Sequence, residues 1–111
     1  KPMKDKEFLV ISCSCPDHET ARRIAHDLVS GSLVACVNVV PGLRSIYRWN
    51  GAVQDDAEVM MILKTTGDRL EAARARLVEL HPYDVPEFIA LAASDGHDPY
   101  LQWVVDSTRI P

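Results

Sequence analysis

The sequence is poor in the residue patterns on which most catalytic and nucleic-acid-binding chemistry is built. Its 111 residues include only five glycines, with no glycine-rich phosphate loop among them. Neither a G-x-S-x-G elbow nor an H-E-x-x-H helix occurs. Catalytic machinery of those kinds is excluded, and the chain reads as a non-enzymatic protein. Basic residues are outnumbered, 12 Lys and Arg against 16 Asp and Glu, for a formal charge of −4. An acidic surface repels nucleic acid and anionic lipid alike, so neither is expected as a partner. No stretch approaches the ~20 apolar residues that cross a bilayer. Lys1 to Glu7 is charged and carries no apolar run of the signal-peptide type. The expectation is a cytoplasmic protein whose residues 1–6 form a disordered N-terminal segment.

Cysteine is sparse as well. Cys13, Cys15 and Cys36 are an odd number, so they cannot all pair within one chain. Cys13 and Cys15 are also too close along one extended strand for an easy bridge. Reduced thiols, as in a cytosolic compartment, follow. What remains is ordinary globular material, 47% apolar and 25% charged, enough for one domain over residues 1–111.

Phe8-Leu9-Val10-Ile11 is a short apolar run that predicts a central strand covered on both faces. Asp17 is a good N-cap, and Ala21, Ile24, Ala25, Leu28 and Val29 repeat at helical spacing. Gly31 is placed to end that helix in a left-handed cap. A strand from near Leu33 to Val40 meets Pro41-Gly42, which predicts a bulge or bend. It resumes over Ser45 to Trp49. Asn50-Gly51 then predicts a type I′ hairpin turn, since both residues accept positive φ. The return strand runs through Val53 and Glu58 to Thr65. A second helix starts near Asp68 with Leu70, Ala73, Leu77 and Leu80 on its buried stripe, and must end near His81 because Pro82 follows. Phe88 to Ala92 reads as a last strand, and Pro99 to Val105 as a short closing helix with proline in its first turn. The order predicts an α+β, ferredoxin-like (βαββαβ) antiparallel sheet with two helices on one face.

The central hairpin is too long for a domain of this size. From Cys36 to Trp49 an extended chain spans roughly 48 Å at ~3.4 Å per residue. A compact domain of this length has a radius of gyration near ~13 Å. The ribbon must therefore bend sharply or project. An isolated two-stranded ribbon is only marginally stable, and this one carries Ile46, Tyr47, Trp49 and Val53. Pairing with sibling subunits would cover them and the strand edges, so a closed homo-oligomer is expected.

Metal ligation is the most active chemistry on offer. Cys13 and Cys15 alternate back to one strand face, and Cys36 lies on a second strand that could pair nearby. Thiolates favour Cu(I) or Zn, and imidazole suits Cu(II) and Zn. Free cysteines are also common as small buried hydrophobes. Lys64 shares a strand face with Met60 and Ile62, so its position is apolar by pattern and charged by identity. Such a lysine needs an anionic partner or ligand. Glu87 is the candidate partner, Asn38 lies on the opposing strand, and Tyr83 and Trp103 could wall a ligand cleft. A structural ion pair at a subunit interface is the alternative.

Several of these segments also resemble one family. Ala35-Cys36-Val37-Asn38, Pro41-Gly42, Ser45-Ile46-Tyr47-Arg48-Trp49-Asn50-Gly51, Met61-Ile62-Leu63-Lys64-Thr65-Thr66, His81-Pro82-Tyr83-Asp84-Val85-Pro86-Glu87 and Tyr100-Leu101-Gln102-Trp103 stand in the order and spacing of the CutA divalent-cation-tolerance family. The resemblance covers residues 7 to 109. It implies a tight homotrimer similar in architecture to PII signalling proteins, with long hairpins lying across neighbouring subunits and clefts between them for a small molecule. It further implies a cytoplasmic bacterial protein linked to tolerance of copper (Cu2+) and other divalent cations. By the same resemblance Cys13 and His81 match residues proposed as copper ligands. Some members place a second histidine where this sequence has Leu80, so one ligand of that set is missing here, and Cys15 is the available substitute.

Overall fold

The computed structural model describes residues 7–109; the expected disorder of residues 1–6 lies outside them. Four strands form one antiparallel sheet: β1 (Phe8–Cys15), β2 (Cys36–Trp49), β3 (Ala52–Thr66) and β4 (Ile89–Ala92). Their order across the sheet is β2-β3-β1-β4. Three helices accompany them, α1 (His18–Ser30), α2 (Leu70–Leu80) and α3 (Asp98–Ser107), with a 3-10 turn at Gly67–Arg69 leading into α2.

The core lies between one face of the sheet and the first two helices. Odd-numbered residues of β1 and β3 (Ile11, Cys13, Cys15, Val59, Met61, Leu63) meet Ala21, Ile24 and Leu28 of α1 and Ala73 and Leu77 of α2. Burying side chains of Leu or Ile size contributes about 1.5–3 kcal/mol each. β1 is central, as expected, but helices cover only one of its faces. Along it fully buried residues alternate with half-buried ones, because α1 and α2 share the side on which the odd residues point. Val29 falls off the buried stripe of α1 and is exposed.

Asp17 caps α1 by accepting the Thr20 N–H at 2.8 Å. The left-handed residue that ends this helix is Ser32 (φ 58), not Gly31 (φ −85). The Ser32 N–H donates to the Val29 carbonyl and the Leu33 N–H to that of Leu28, the paired bonds of a Schellman ending. That pattern places the positive φ one residue beyond the glycine. α2 stops at its last leucine, and His81 turns to extended backbone (φ −77, ψ 138), as the following proline requires.

β2 and β3 make a ribbon of 14 and 15 residues, and the molecule measures 45 × 27 × 23 Å. The ribbon therefore projects. Asn50 (φ 52) and Gly51 (φ 78) form its turn, as the sequence predicts. Pro41-Gly42 does not end β2. The register instead slips between Val40, opposite Met60, and Leu43, opposite Glu58. One extra residue on β2 makes this a bulge.

Candidate functional site

Cys13, Cys15 and His81 bring their ligand atoms within 4.8 Å of one another, and all three residues are buried. Strand alternation puts both cysteines on the helix side of β1, and the extended exit from α2 swings His81 over the strand end. Cys15 Sγ lies 3.7 Å from His81 Nε2. The same nitrogen is 2.9 Å from the Ser14 carbonyl, and the Tyr83 backbone N–H reaches His81 Nδ1 at 3.2 Å. A carbonyl only accepts and an amide N–H only donates. The ring therefore carries its proton on Nε2 and its lone pair on Nδ1. A metal bound at Nε2 must displace that proton, at the expense of the bond to Ser14.

The two thiols share one environment. The hydrogen bond to Cys15, reinforced by burial, holds the Cys13 thiol far above its usual range. The same contact lowers Cys15, against burial and the nearby Glu58 carboxyl. Cys13 thus holds its proton more tightly than Cys15 does. All three cysteines are free.

Cys36 does not join this cluster. β3 stands between β2 and β1 in the sheet, so Cys36 pairs with Lys64. Its sulfur lies 3.5 Å from the Tyr100 hydroxyl. The expected Lys64–Glu87 pair is likewise not made within the chain. Lys64 Nζ donates to Asn38 Oδ1 across the β2/β3 ladder. Glu87 Oε2 accepts from the Ser12 hydroxyl at 2.7 Å. Each is thus taken up by a neutral partner, and among the described residues no ion pair joins them.

A cleft of about 500 Å³ opens under the ribbon, lined in part by Ser14, Tyr47, Trp49, Glu58, Tyr83 and Glu87. Of the five residues expected in a ligand cleft, Tyr83 and Glu87 line this one and Asn38, Lys64 and Trp103 do not. Trp103 packs on Tyr100, ring centroids 5.5 Å apart. Tyr83 is anchored by donating its hydroxyl to Glu58 Oε2 at 2.5 Å. Burial and that bond raise its pKa well above the usual tyrosine range. Glu58 was not singled out from the sequence, although it shares the strand parity of Met60, Ile62 and Lys64 that marks Lys64.

The four ribbon residues expected to meet sibling chains fall on two faces. Tyr47 and Trp49 stand opposite Gln54 and Ala52, on the cleft side. Ile46 and Val53 belong to the other set, opposite Asp55 and Arg48. Ile46 and Val53 are 68% and 64% exposed.

Three comparisons bear on this arrangement. The family described as "CutA1 divalent ion tolerance protein" matches residues 9–107. The "Divalent-cation tolerance protein CutA" of Thermus thermophilus is 46% identical over 99 residues, covering 89% of this chain and 96% of that protein. "Protein CutA, chloroplastic" of Arabidopsis thaliana is 43% identical over 101 residues, and there this chain spans 56% of the relative's length. Among solved structures, CutA1 from Oryza sativa superposes with a TM-score of 0.91 at 41% identity, covering 96% of this chain and 98% of that one. The matched segment holds the thiol–imidazole cluster, the bulged ribbon and the cleft together. The chain belongs to the CutA1 divalent ion tolerance protein family.

Proposed function

We propose that this chain works as a homotrimer of ferredoxin-like subunits, similar in architecture to PII proteins, that binds copper or another divalent metal ion and takes part in the response to such ions. The observation that carries the metal reading is the convergence of Cys13, Cys15 and His81. Two sulfurs and one imidazole are the donor set of a soft or borderline ion, so Cu(I) and Zn(II) fit it better than hard cations. The metal is cargo here, and no catalytic step is assigned to it. Relatives named for divalent-cation tolerance support the same reading.

The strand order β2-β3-β1-β4 is that of a split βαβ unit. Trimerisation is supported by the projecting ribbon and by the second sheet face, where Ile89 and Leu91 are 55% and 63% exposed. Reduced thiols favour a reducing compartment, the bacterial cytoplasm; relatives are named chloroplastic and periplasmic.

The deciding experiment is competition for Cu(I) or Zn(II) against a chromophoric chelator. Reduced wild type should take up one ion per chain, and Cys13→Ala should lose that capacity. A wild type unable to compete at micromolar metal would remove the reading.

A second reading is a signalling or scaffold trimer with a small anionic ligand or a partner protein in clefts between subunits. Lys64 favours it: among the described residues its ammonium has no carboxylate partner and bonds only to Asn38. A thermal-shift screen of anionic metabolites on wild type and Lys64→Gln tests this, since a bound ligand raises the melting temperature by mass action.

A further inference from the structure

The thiol–imidazole cluster holds a fourth donor, and it belongs to the backbone. The Ser14 carbonyl oxygen lies 2.9 Å from His81 Nε2 and 3.6 Å from Cys13 Sγ, while Cys15 Sγ stands 3.7 Å from the same nitrogen. Strand topology leaves that oxygen to the side chains. The Phe8 carbonyl accepts the Ala93 N–H, so by antiparallel alternation every second residue of β1 turns its carbonyl toward the β4 flank. Ser14 is one of these. The last β4 partner, Ile89, stands opposite Ser12, and the ladder ends one step short of Ser14.

Donors that surround one ion tetrahedrally stand apart by set distances. With zinc–sulfur bonds of ~2.3 Å and zinc–nitrogen or zinc–oxygen bonds of ~2.1 Å, an edge from sulfur to nitrogen or oxygen spans about 3.6 Å, and one from nitrogen to oxygen about 3.4 Å. The two sulfur edges seen here already have that length, and only the hydrogen bond from His81 to Ser14 must lengthen. Cys13 and Cys15 are fully buried and His81 nearly so, which leaves water little access to the fourth position. Charge separates the candidate ions. Two thiolates and a divalent ion form a neutral unit, whereas Cu(I) would leave a net negative charge in the core, a costly arrangement without a counter-ion. A carbonyl oxygen is also a hard donor that soft Cu(I) does not favour.

Resting on the metal reading above and naming its ion, we infer that the site takes divalent zinc in a closed tetrahedral shell, with the Ser14 carbonyl as fourth ligand beside Cys13, Cys15 and His81. Each thiol gives one proton to solvent as the ion enters. The imidazole stays neutral, its proton leaving Nε2 and one returning at Nδ1. The Tyr83 N–H, 3.2 Å from Nδ1, then loses its acceptor, because two donors cannot share one bond. The closed shell is that of a storage or structural zinc, without the open position that catalysis needs.

The test gives reduced wild type Zn(II) and Cu(I) separately, each in competition with a chelator. Zinc K-edge X-ray absorption follows, with NMR of protein carrying carbon-13 in its serine carbonyls and nitrogen-15 throughout. Zinc should bind once per chain with two sulfur and two nitrogen or oxygen neighbours. Cys15→Ala should show one sulfur neighbour fewer and lose more than the about 10–100-fold in affinity that removal of a mere supporting contact costs. On zinc binding the Ser14 carbonyl should move downfield much further than that of Ser12, and the Tyr83 amide proton should move upfield as its bond breaks. Four-coordinate zinc with an unmoved Ser14 carbonyl, three-coordinate zinc, or uptake of Cu(I) without zinc would each overturn the inference and leave the metal reading standing. Uptake of neither ion would remove both.

Discussion

His81 and Ser14, 67 positions apart in the chain, are joined by a 2.9 Å hydrogen bond from the imidazole Nε2 to the backbone carbonyl. The Tyr83 amide closes the other side of the ring at Nδ1. The metal-free protein should therefore show the neutral Nε2–H tautomer in nitrogen-15 spectra of the imidazole, and an Nδ1–H pattern would contradict the geometry. His81→Ala strands both backbone groups at a buried position. It should cost about 1–3 kcal/mol, the penalty of an unmet buried polar group, read as a lower urea midpoint.

The thiols should separate by reactivity. Cys13 and Cys15 are buried and Cys36 is half-exposed. Alkylation of the native reduced protein should label Cys36 first and reach the other two only in denaturant. The hydrogen bond to Cys15 and burial both hold the Cys13 proton, so raising the pH to about 9, where a free thiol largely ionises, should not expose it to the reagent. Rapid labelling of all three at neutral pH would contradict the burial.

Ile46 and Val53 are the most exposed apolar residues of the ribbon. Changing both to lysine should leave the circular dichroism of the subunit intact and shift sedimentation toward smaller species. A wild type that sediments as a lone subunit at working dilution would contradict trimerisation itself.

Arg76 clamps Asp27 with two hydrogen bonds, 2.9 and 2.7 Å, tying α2 to α1. The contact holds the Asp27 carboxyl below its ordinary value of 3.8. A depressed folded pKa means that the clamp contributes fully above that ordinary value and fades as pH falls through the folded one. Asp27→Asn should therefore lower the urea midpoint at neutral pH, modestly because the pair is open to solvent. The gap from wild type should close below about pH 4. A gap that widened with acid would contradict the sign.

How much of this was legible beforehand depended on how local the cause was. Asn50-Gly51, Pro41-Gly42, the Asp17 cap and the stop before Pro82 are decided by a few adjacent residues, and each expectation held. The shared face of Cys13 and Cys15 follows from strand alternation alone. Neighbourhood across the sheet does not. Cys36 was expected near the other thiols because nothing in its own segment reveals that β3 lies between them. Lys64 was matched with Glu87 on charge, whereas the ladder register delivers Asn38. Gly31 looked like the left-handed residue by composition, while the bonding of the last turn chose Ser32. Glu58 escaped notice because a lone glutamate in a strand becomes unusual only when a tyrosine from 25 positions away closes over it.

The bulge between Val40 and Leu43 also acts as a parity inverter. At the root of β2, even-numbered residues face away from the helices, Asn38 opposite Ile62 and Val40 opposite Met60; beyond the slip it is the odd-numbered ones, Leu43 opposite Glu58 and Tyr47 opposite Gln54. A ribbon one residue shorter there would turn Ile46 and Arg48 toward the carboxyls and send Tyr47 and Trp49 to the outer side. The aromatic wall of the cleft and the greasy outer face of the arm are thus two readings of one inserted residue, and any relative without it would have to exchange them.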